Sequence, residues 1–262
     1  MRGYERGETP NPCIACNGSF RFAELLAFAE RVGAARLATG HYARIVSHRG
    51  RQLVARAVDR EKDQSYMLAS VPSEILERCW FPLGGQTKIE TRAEALAAGL
   101  AAAGAAESQE VCFVGGGDHR ALVERMGGAG RSGDIVDSAG RLLGRHAGLH
   151  RFTPGQRRGL GLGGGEAAYV LRTEPATGRV VVGSRAELAR TSVRVSPGRM
   201  YVPAQRVKAK LRYRQRAVWA TVTPVAGGGL ALDLDEPVEG VAPGQAAVLY
   251  DGDAVVGAGT IE

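Results

Sequence analysis

Apolar positions recur at helical spacing in two stretches of this chain. Phe22, Leu25, Leu26 and Ala29 fall at i, i+3, i+4 and i+7, which predicts an amphipathic helix over 17–32, capped by Asn17 and ended by Gly33. Thr87-Lys88-Ile89-Glu90 has capping-box spacing, and Ile89, Ala93, Leu96, Ala97 and Leu100 continue a scaffold helix on one face. Between them, Arg36 to Thr39 reads as a short buried strand ending at Gly40-His41, a ligand-facing crest in α/β grammar. Tyr42 to Val46 and Gln52 to Ala57 read as a hairpin about His48 to Arg51. Asp63 or Ser65 can cap the segment that carries Met67 and Leu68.

The grammar changes near residue 116. A helix from about Asp118 to Met126 is expected, then strands with a turn at Ser138-Ala139-Gly140. Strand-like runs follow at Ala168 to Arg172, Arg179 to Gly183 and Ser192 to Val195. Lys208, Lys210, Arg212, Arg214 and Arg216 alternate with other residues, so a strand there sets five cations in one row. Leu230, Leu232 and Leu234 alternate likewise, and a last hairpin turns at Asp251-Gly252-Asp253. These patterns predict an α/β unit over 1–116, a small β-rich unit over 117–186 and a β-barrel over 187–262.

Composition narrows the function classes. No run of about 18 apolar residues occurs, and the first residues, with Arg2, Glu5, Arg6 and Glu8, lack a signal peptide's apolar core. A cytoplasmic protein without membrane partners is expected. The net charge is +7, and two basic stretches carry no acid: 141–165, with five arginines, and 206–216, with six Lys or Arg. Such stretches fit a polyanion such as nucleic acid.

Four cysteines, Cys13, Cys16, Cys79 and Cys112, are too few for a disulfide framework in a chain of 262 residues. Cys79 beside Trp80 and Phe81 reads as core, and Cys112, inside the short apolar segment Val111 to Val114, reads better as a small buried hydrophobe than as a functional thiol. Cys16, just ahead of the predicted helix, would have its thiolate favoured by the helix N-terminus. Two other motifs fail on context. Gly159 to Gly164 spells G-x-G-x-x-G, but a strand and not a helix follows. Cys13-x-x-Cys16 with His146-x-x-x-His150 lacks the spacing of a zinc finger, so no structural metal or tightly bound cofactor is expected.

Several motifs occur together in one order: Thr9-Pro10-Asn11-Pro12-Cys13-Ile14-Ala15-Cys16-Asn17, Ala38-Thr39-Gly40-His41-Tyr42, Lys62-Asp63-Gln64-Ser65-Tyr66, Glu107-Ser108-Gln109 with Cys112-Phe113, Thr153 to Gly161, and Arg212-Tyr213-Arg214-Gln215. In this the chain resembles the tRNA-specific 2-thiouridylases, the MnmA family, along nearly its whole length. The resemblance implies a Rossmann-like N-type ATP pyrophosphatase (PP-loop) domain, a central domain and a C-terminal β-barrel. It implies a tRNA-uridine 2-sulfurtransferase that uses ATP with Mg2+ as co-substrate to adenylate the wobble uridine, and takes sulfur from a persulfide donor protein.

By the same resemblance Cys112 carries the persulfide and Cys16 attacks it or closes a disulfide with it. Gly40 borders the ATP site. Asn11, Pro12 and Cys13 face the target base, while His41, Lys62, Asp63, Gln64, Arg212, Tyr213 and Gln245 contact tRNA. Two other classes remain: a non-catalytic RNA-binding remnant, and a thiol-disulfide oxidoreductase pairing Cys13 with Cys16. The family's S-G-G-x-D-S loop, which grips the ATP pyrophosphate, has no match here. A truncated catalytic domain with bared apolar surface is therefore expected. These 262 residues alone should form no AMP from ATP in the presence of tRNA; measurable AMP release would overturn that expectation.

Overall fold

The computed structural model describes Gly3 and residues 6–104, 132–163 and 167–262. The helix expected over 118–126 and the boundary near residue 116 lie outside the described residues. A closed barrel organises the rest. Strands β9 (Ala189–Met200), β10 (Arg206–Lys210), β11 (Val218–Val225), β12 (Gly229–Glu239), β13 (Ala246–Asp251) and β14 (Ala254–Ile261) pair in the order β13-β10-β11-β12-β9-β14, and the β13–β14 pairing closes the ring. Closure removes the free edges that an open sheet would expose. Alternation fills the interior: Val207, Ala209, Val218, Ala220, Leu230, Leu232, Ala247 and Leu249 belong to one buried cluster.

The hairpin of β2 (Ala43–His48) and β3 (Arg51–Arg56) forms as expected, with Arg49 and Gly50 both at positive φ in its two-residue turn. It does not stand apart in an α/β core. Ala55 pairs with Ala254, which joins β2 and β3 to the barrel sheet. A second buried cluster then fills the space between the outer side of β13 and β14 and the N-terminal elements, with Phe22, Tyr66, Leu68 and Phe81 packed on Ala246, Val248, Tyr250 and Val255.

The remaining N-terminal elements are short. The expected buried strand at 36–39 is only β1 (Leu37–Ala38), paired in parallel with β4 (Cys79–Trp80). Leu37 and Cys79 pack against the second buried cluster, whereas Ala38 and Trp80 face outward and are exposed. Cys79 is buried as expected, and burial raises its thiol to about 11, so it stays protonated. The central unit is a four-stranded sheet in the order β6-β5-β8-β7: β5 (Gly133–Asp137), β6 (Leu142–His146), β7 (Tyr169–Glu174) and β8 (Arg179–Gly183). Among the described residues no helix is long and apolar enough to cross a membrane.

The capping-box helix forms over Lys88–Ala97, with both reciprocal hydrogen bonds of the box present. Its apolar side is left bare by the described residues. Ile89, Leu96 and Leu100 are 81%, 67% and 57% exposed, so the scaffold role expected of that face is not realised among the described residues. Replacing Ile89 and Leu96 together by Lys should therefore change unfolding free energy by no more than about 0.5 kcal/mol per site, while lowering concentration-dependent light scattering. A loss several times larger would show that the face is packed.

Candidate functional site

Helix α1 (Pro12–Cys16) begins earlier than the periodicity predicts. Asn11 is extended, and its Oδ1 accepts from the N–H groups of Cys13 (3.2 Å) and Ile14 (3.3 Å), while Pro12 fills the first helical position, where no N–H is needed. The chain continues through a π turn (Asn17–Arg21) into α2 (Phe22–Arg31). Asn17 is thus no N-cap but follows the last residue of α1. It is buried in the π turn, and its Nδ2 donates to Met67 O at 3.0 Å. Cys16 closes α1 instead of preceding a helix, and it is Cys13 that stands in the first turn, where Asn11 satisfies the N–H groups. The Asn-Pro pair was the signal for this start. Gly18 has its own reason: a Cβ there would meet Ser70 Cβ at 2.6 Å, so the helix lies directly on the turns that follow Tyr66.

That turn region is anchored by the Lys62 to Tyr66 motif. Asp63 is buried, with Oδ1 accepting from Ala57 N and Ser65 N, both at 3.1 Å, and Oδ2 accepting from Ser65 Oγ at 2.9 Å. Ser65 Oγ also meets Tyr250 OH at 3.1 Å, and Tyr66 OH donates to Ala246 O at 2.9 Å. Gln64 pairs with Tyr42 through its backbone N–H and its Oε1, each at 2.8 Å. Asp63 therefore does cap, but it caps a run of turns and not an α-helix. Asp63 and Gln64 face inward, and Lys62 is half-buried beside them.

The approach to Asn11 is tied to the barrel and to the central unit at once. Thr9 N donates to Pro243 O at 2.8 Å, Gln245 Nε2 donates to Thr9 O at 2.5 Å, and Thr9 and Thr153 hydroxyls meet at 3.3 Å. Arg212 Nη1 lies 3.5 Å from Pro154 O and 3.4 Å from Gly240 O. Gly155 and Gly240 both have positive φ, and a Cβ on either would come within about 3 Å of that nitrogen (3.1 and 3.0 Å), so the guanidinium sits in a slot that only glycines leave open. Tyr213 packs against Tyr66 with ring centroids 5.9 Å apart. A cleft of about 710 Å³ opens beside Pro10, Asn11, Ile14, Ser70 and Ala246. Its size suits a nucleotide-sized ligand.

The expected row of five cations is broken. β10 ends at Lys210, and 212–215 turn, with Gln215 Nε2 donating to Glu239 O at 2.8 Å. Two of the cations in this basic stretch also find acids from β12: Arg206 binds Asp235, and Arg216 binds Glu236. A linear stretch free of acid does not reveal its cross-strand neighbours.

His41 is wedged between the rings of Phe22 (5.8 Å) and Phe81 (5.9 Å), with Nδ1 2.8 Å from Thr39 Oγ1. Burial, then the Arg21 charge, lower its pKa from 6.5 to about 4. Gly40 is exposed and lacks positive φ, and a Cβ there would meet only Leu83, at 3.7 Å. Glu107, Ser108, Gln109, Cys112 and Phe113 lie outside the described residues. What sequence reasoning missed is the tether: Thr9, Thr153 and Tyr250 carry it, and only the doubly buried run at Ala246 to Tyr250 hinted at the last.

Comparison with known proteins adds the following. Three family models match: a tRNA methyl transferase HUP domain over residues 1–116, a tRNA methyl transferase PRC-barrel domain over 121–184 and an aminomethyltransferase beta-barrel domain over 199–261. The chain is 45% identical to the tRNA-specific 2-thiouridylase MnmA of Moorella thermoacetica, over 100% of this chain and 76% of that protein. It is 42% identical to the protein of that name from Syntrophotalea carbinolica (98% and 75% covered) and 47% identical to that of Rhodospirillum centenum (98% and 69%).

His41 generates a pH prediction. Its folded pKa of about 4 lies below its ordinary 6.5, so between these values the unfolded chain binds more protons and stability rises with pH. Its contribution is complete above pH 6.5 and lost as pH falls towards 4. Denaturant titrations of His41→Asn should show a shallower dependence in that window; an unchanged slope would mean that the imidazole titrates normally.

Proposed function

This chain belongs to the tRNA-specific 2-thiouridylase family, and from that premise we propose that it serves the ATP-dependent 2-thiolation of the wobble uridine of tRNA. The observation that carries the proposal is convergence. Four motifs far apart in sequence are tied together beside the cleft at Asn11: Gln245 and Thr153 hold Thr9, Asn17 holds Met67 next to the Lys62 to Tyr66 turn, and Arg212 lies against Pro154. Nothing in a barrel's stability requires that meeting, whereas a pocket for one extruded base does.

In the proposed chemistry, ATP adenylates the uridine C2 oxygen because an oxide is a poor leaving group and AMP a good one. The terminal sulfur of a persulfide on Cys112 adds to C2, and AMP departs with the oxygen. The Cys16 thiolate then attacks Cys112 Sγ, breaking the S–S bond and leaving sulfur on C2, and the two cysteines close a disulfide that an external thiol must reduce. Asn11, Pro12 and Cys13 wall the base pocket. Lys62, Arg212 and Tyr213 meet the tRNA, and Gln245 shapes the pocket by fixing Thr9. Asp63, Gln64 and His41 support that surface from within. The pyrophosphate-gripping loop has no counterpart among these residues, so ATP activation is not assigned to them alone.

Peptide mapping after mild oxidation with tRNA bound separates this chemistry from simple dithiol redox. The expected product is a Cys16–Cys112 disulfide, and Cys112→Ser should abolish 2-thiouridine formation in a strain lacking its own thiouridylase when this protein is supplied with any ATP-binding segment it requires. A Cys13–Cys16 disulfide, or thiolation that survives Cys112→Ser, would overturn it.

A further inference from the structure

The outer side of the barrel carries an aromatic residue that the reading above leaves unused. In β11 the side chains of Val218, Ala220 and Val222 point into the barrel, so Trp219 points out and is 46% exposed. Pairing with β10 surrounds it with cations. Lys208 is its direct cross-strand partner, and Arg206 stands two residues along, opposite Thr221. Lys208 Nζ lies 5.2 Å and Arg206 Cζ 5.4 Å from the Trp219 ring. Arg206 is already held by Asp235, whereas Lys208 has no acidic partner among the described residues.

The same strand face leads towards the cleft. Lys210, next after Lys208 on this side of β10, stands 5.6 Å from the Tyr213 ring and 5.7 Å from that of Tyr66. Two ammonium groups, Lys208 and Lys210, therefore stand in a row between the rings of Trp219 and Tyr213, and the row ends at the Lys62 to Tyr66 segment. On the far side, β12 presents Asp233 and Asp235. An anionic strand is thus repelled from β12 and drawn along β10.

We propose that Trp219 is a stacking platform for an unpaired base of bound RNA, with Lys208 and Lys210 holding the phosphates between that base and the Asn11 cleft. The proposal rests on the reading of this chain as a tRNA-modifying protein and extends its RNA surface to a place which that reading does not name. Every base has a π face, so such a platform tolerates sequence and fixes position, while the neighbouring ammonium groups supply salt-dependent attraction. A protein partner fits less well, because one ring flanked by charges offers little apolar area.

The chain has two tryptophans, so Trp80→Phe leaves Trp219 as the only indole reporter. Titrating this variant with an unmodified tRNA transcript should quench its emission, saturating at the concentration where filter binding saturates. Trp219→Leu should weaken tRNA binding about tenfold and Trp219→Phe much less. Lys208→Ala should lower the salt slope of log affinity by roughly 0.7 to 0.9. Thermal unfolding checks that these exposed substitutions leave the fold intact. Full-affinity tRNA binding with unchanged emission and no effect of Trp219→Leu overturns this proposal alone. Failure of every variant, including the unaltered chain, to bind tRNA overturns it together with the proposed function.

Discussion

Strand β13 is buried on both sides, and the rest of the molecule is arranged around that fact. Ala247 and Leu249 face the barrel interior, while Ala246, Val248 and Tyr250 face the layer built by the N-terminal elements. Val248 and Leu249 are 0% and 1% exposed, and removing each such side chain from water is worth roughly 1.5–3 kcal/mol. One strand therefore belongs to two cores. It also supplies the polar fixings of the cleft, since Tyr250 OH meets Ser65, Ala246 O accepts from Tyr66, and Gln245, just before the strand, grips Thr9. Among the described residues the pocket walls are hung from the barrel.

This explains which parts of the fold were legible in the sequence. Period-two alternation gave the barrel strands, and the hairpin and the capping box were readable because each is decided within a few residues. The start of α1 is decided just as locally, by Asn11 and Pro12, whereas the apolar periodicity begins only at Phe22. A π turn shifts helical phase, so a pattern that begins after the turn says nothing of the helix before it. The attachment of β2 and β3 to β14 was not legible, because one pairing between Ala55 and Ala254 bridges nearly two hundred residues.

The candidate site was legible as a set of motifs but not as an arrangement. Asp63 reads in sequence as cap or contact, and the bonds of its buried oxygens to Ala57 and Ser65 supply the capping role. Arg206 and Arg216 belong to a stretch that reads as free of acid until β12 brings Asp235 and Glu236 beside them. Burial hides in the same way: Ile89 and Leu96 have the spacing of a core face and yet are exposed. In each case the deciding neighbour, or its absence, lies far away along the chain.

We propose that residues 9–17, 62–67, 153–158 and 206–219 form one RNA-facing surface held together by β13. Hydrogen–deuterium exchange with and without an unmodified tRNA transcript tests it most directly. The account predicts that peptides from all four segments gain protection together and lose it together as salt is raised. Protection confined to the barrel strands, with 9–17 and 62–67 exchanging as in the free protein, would contradict it.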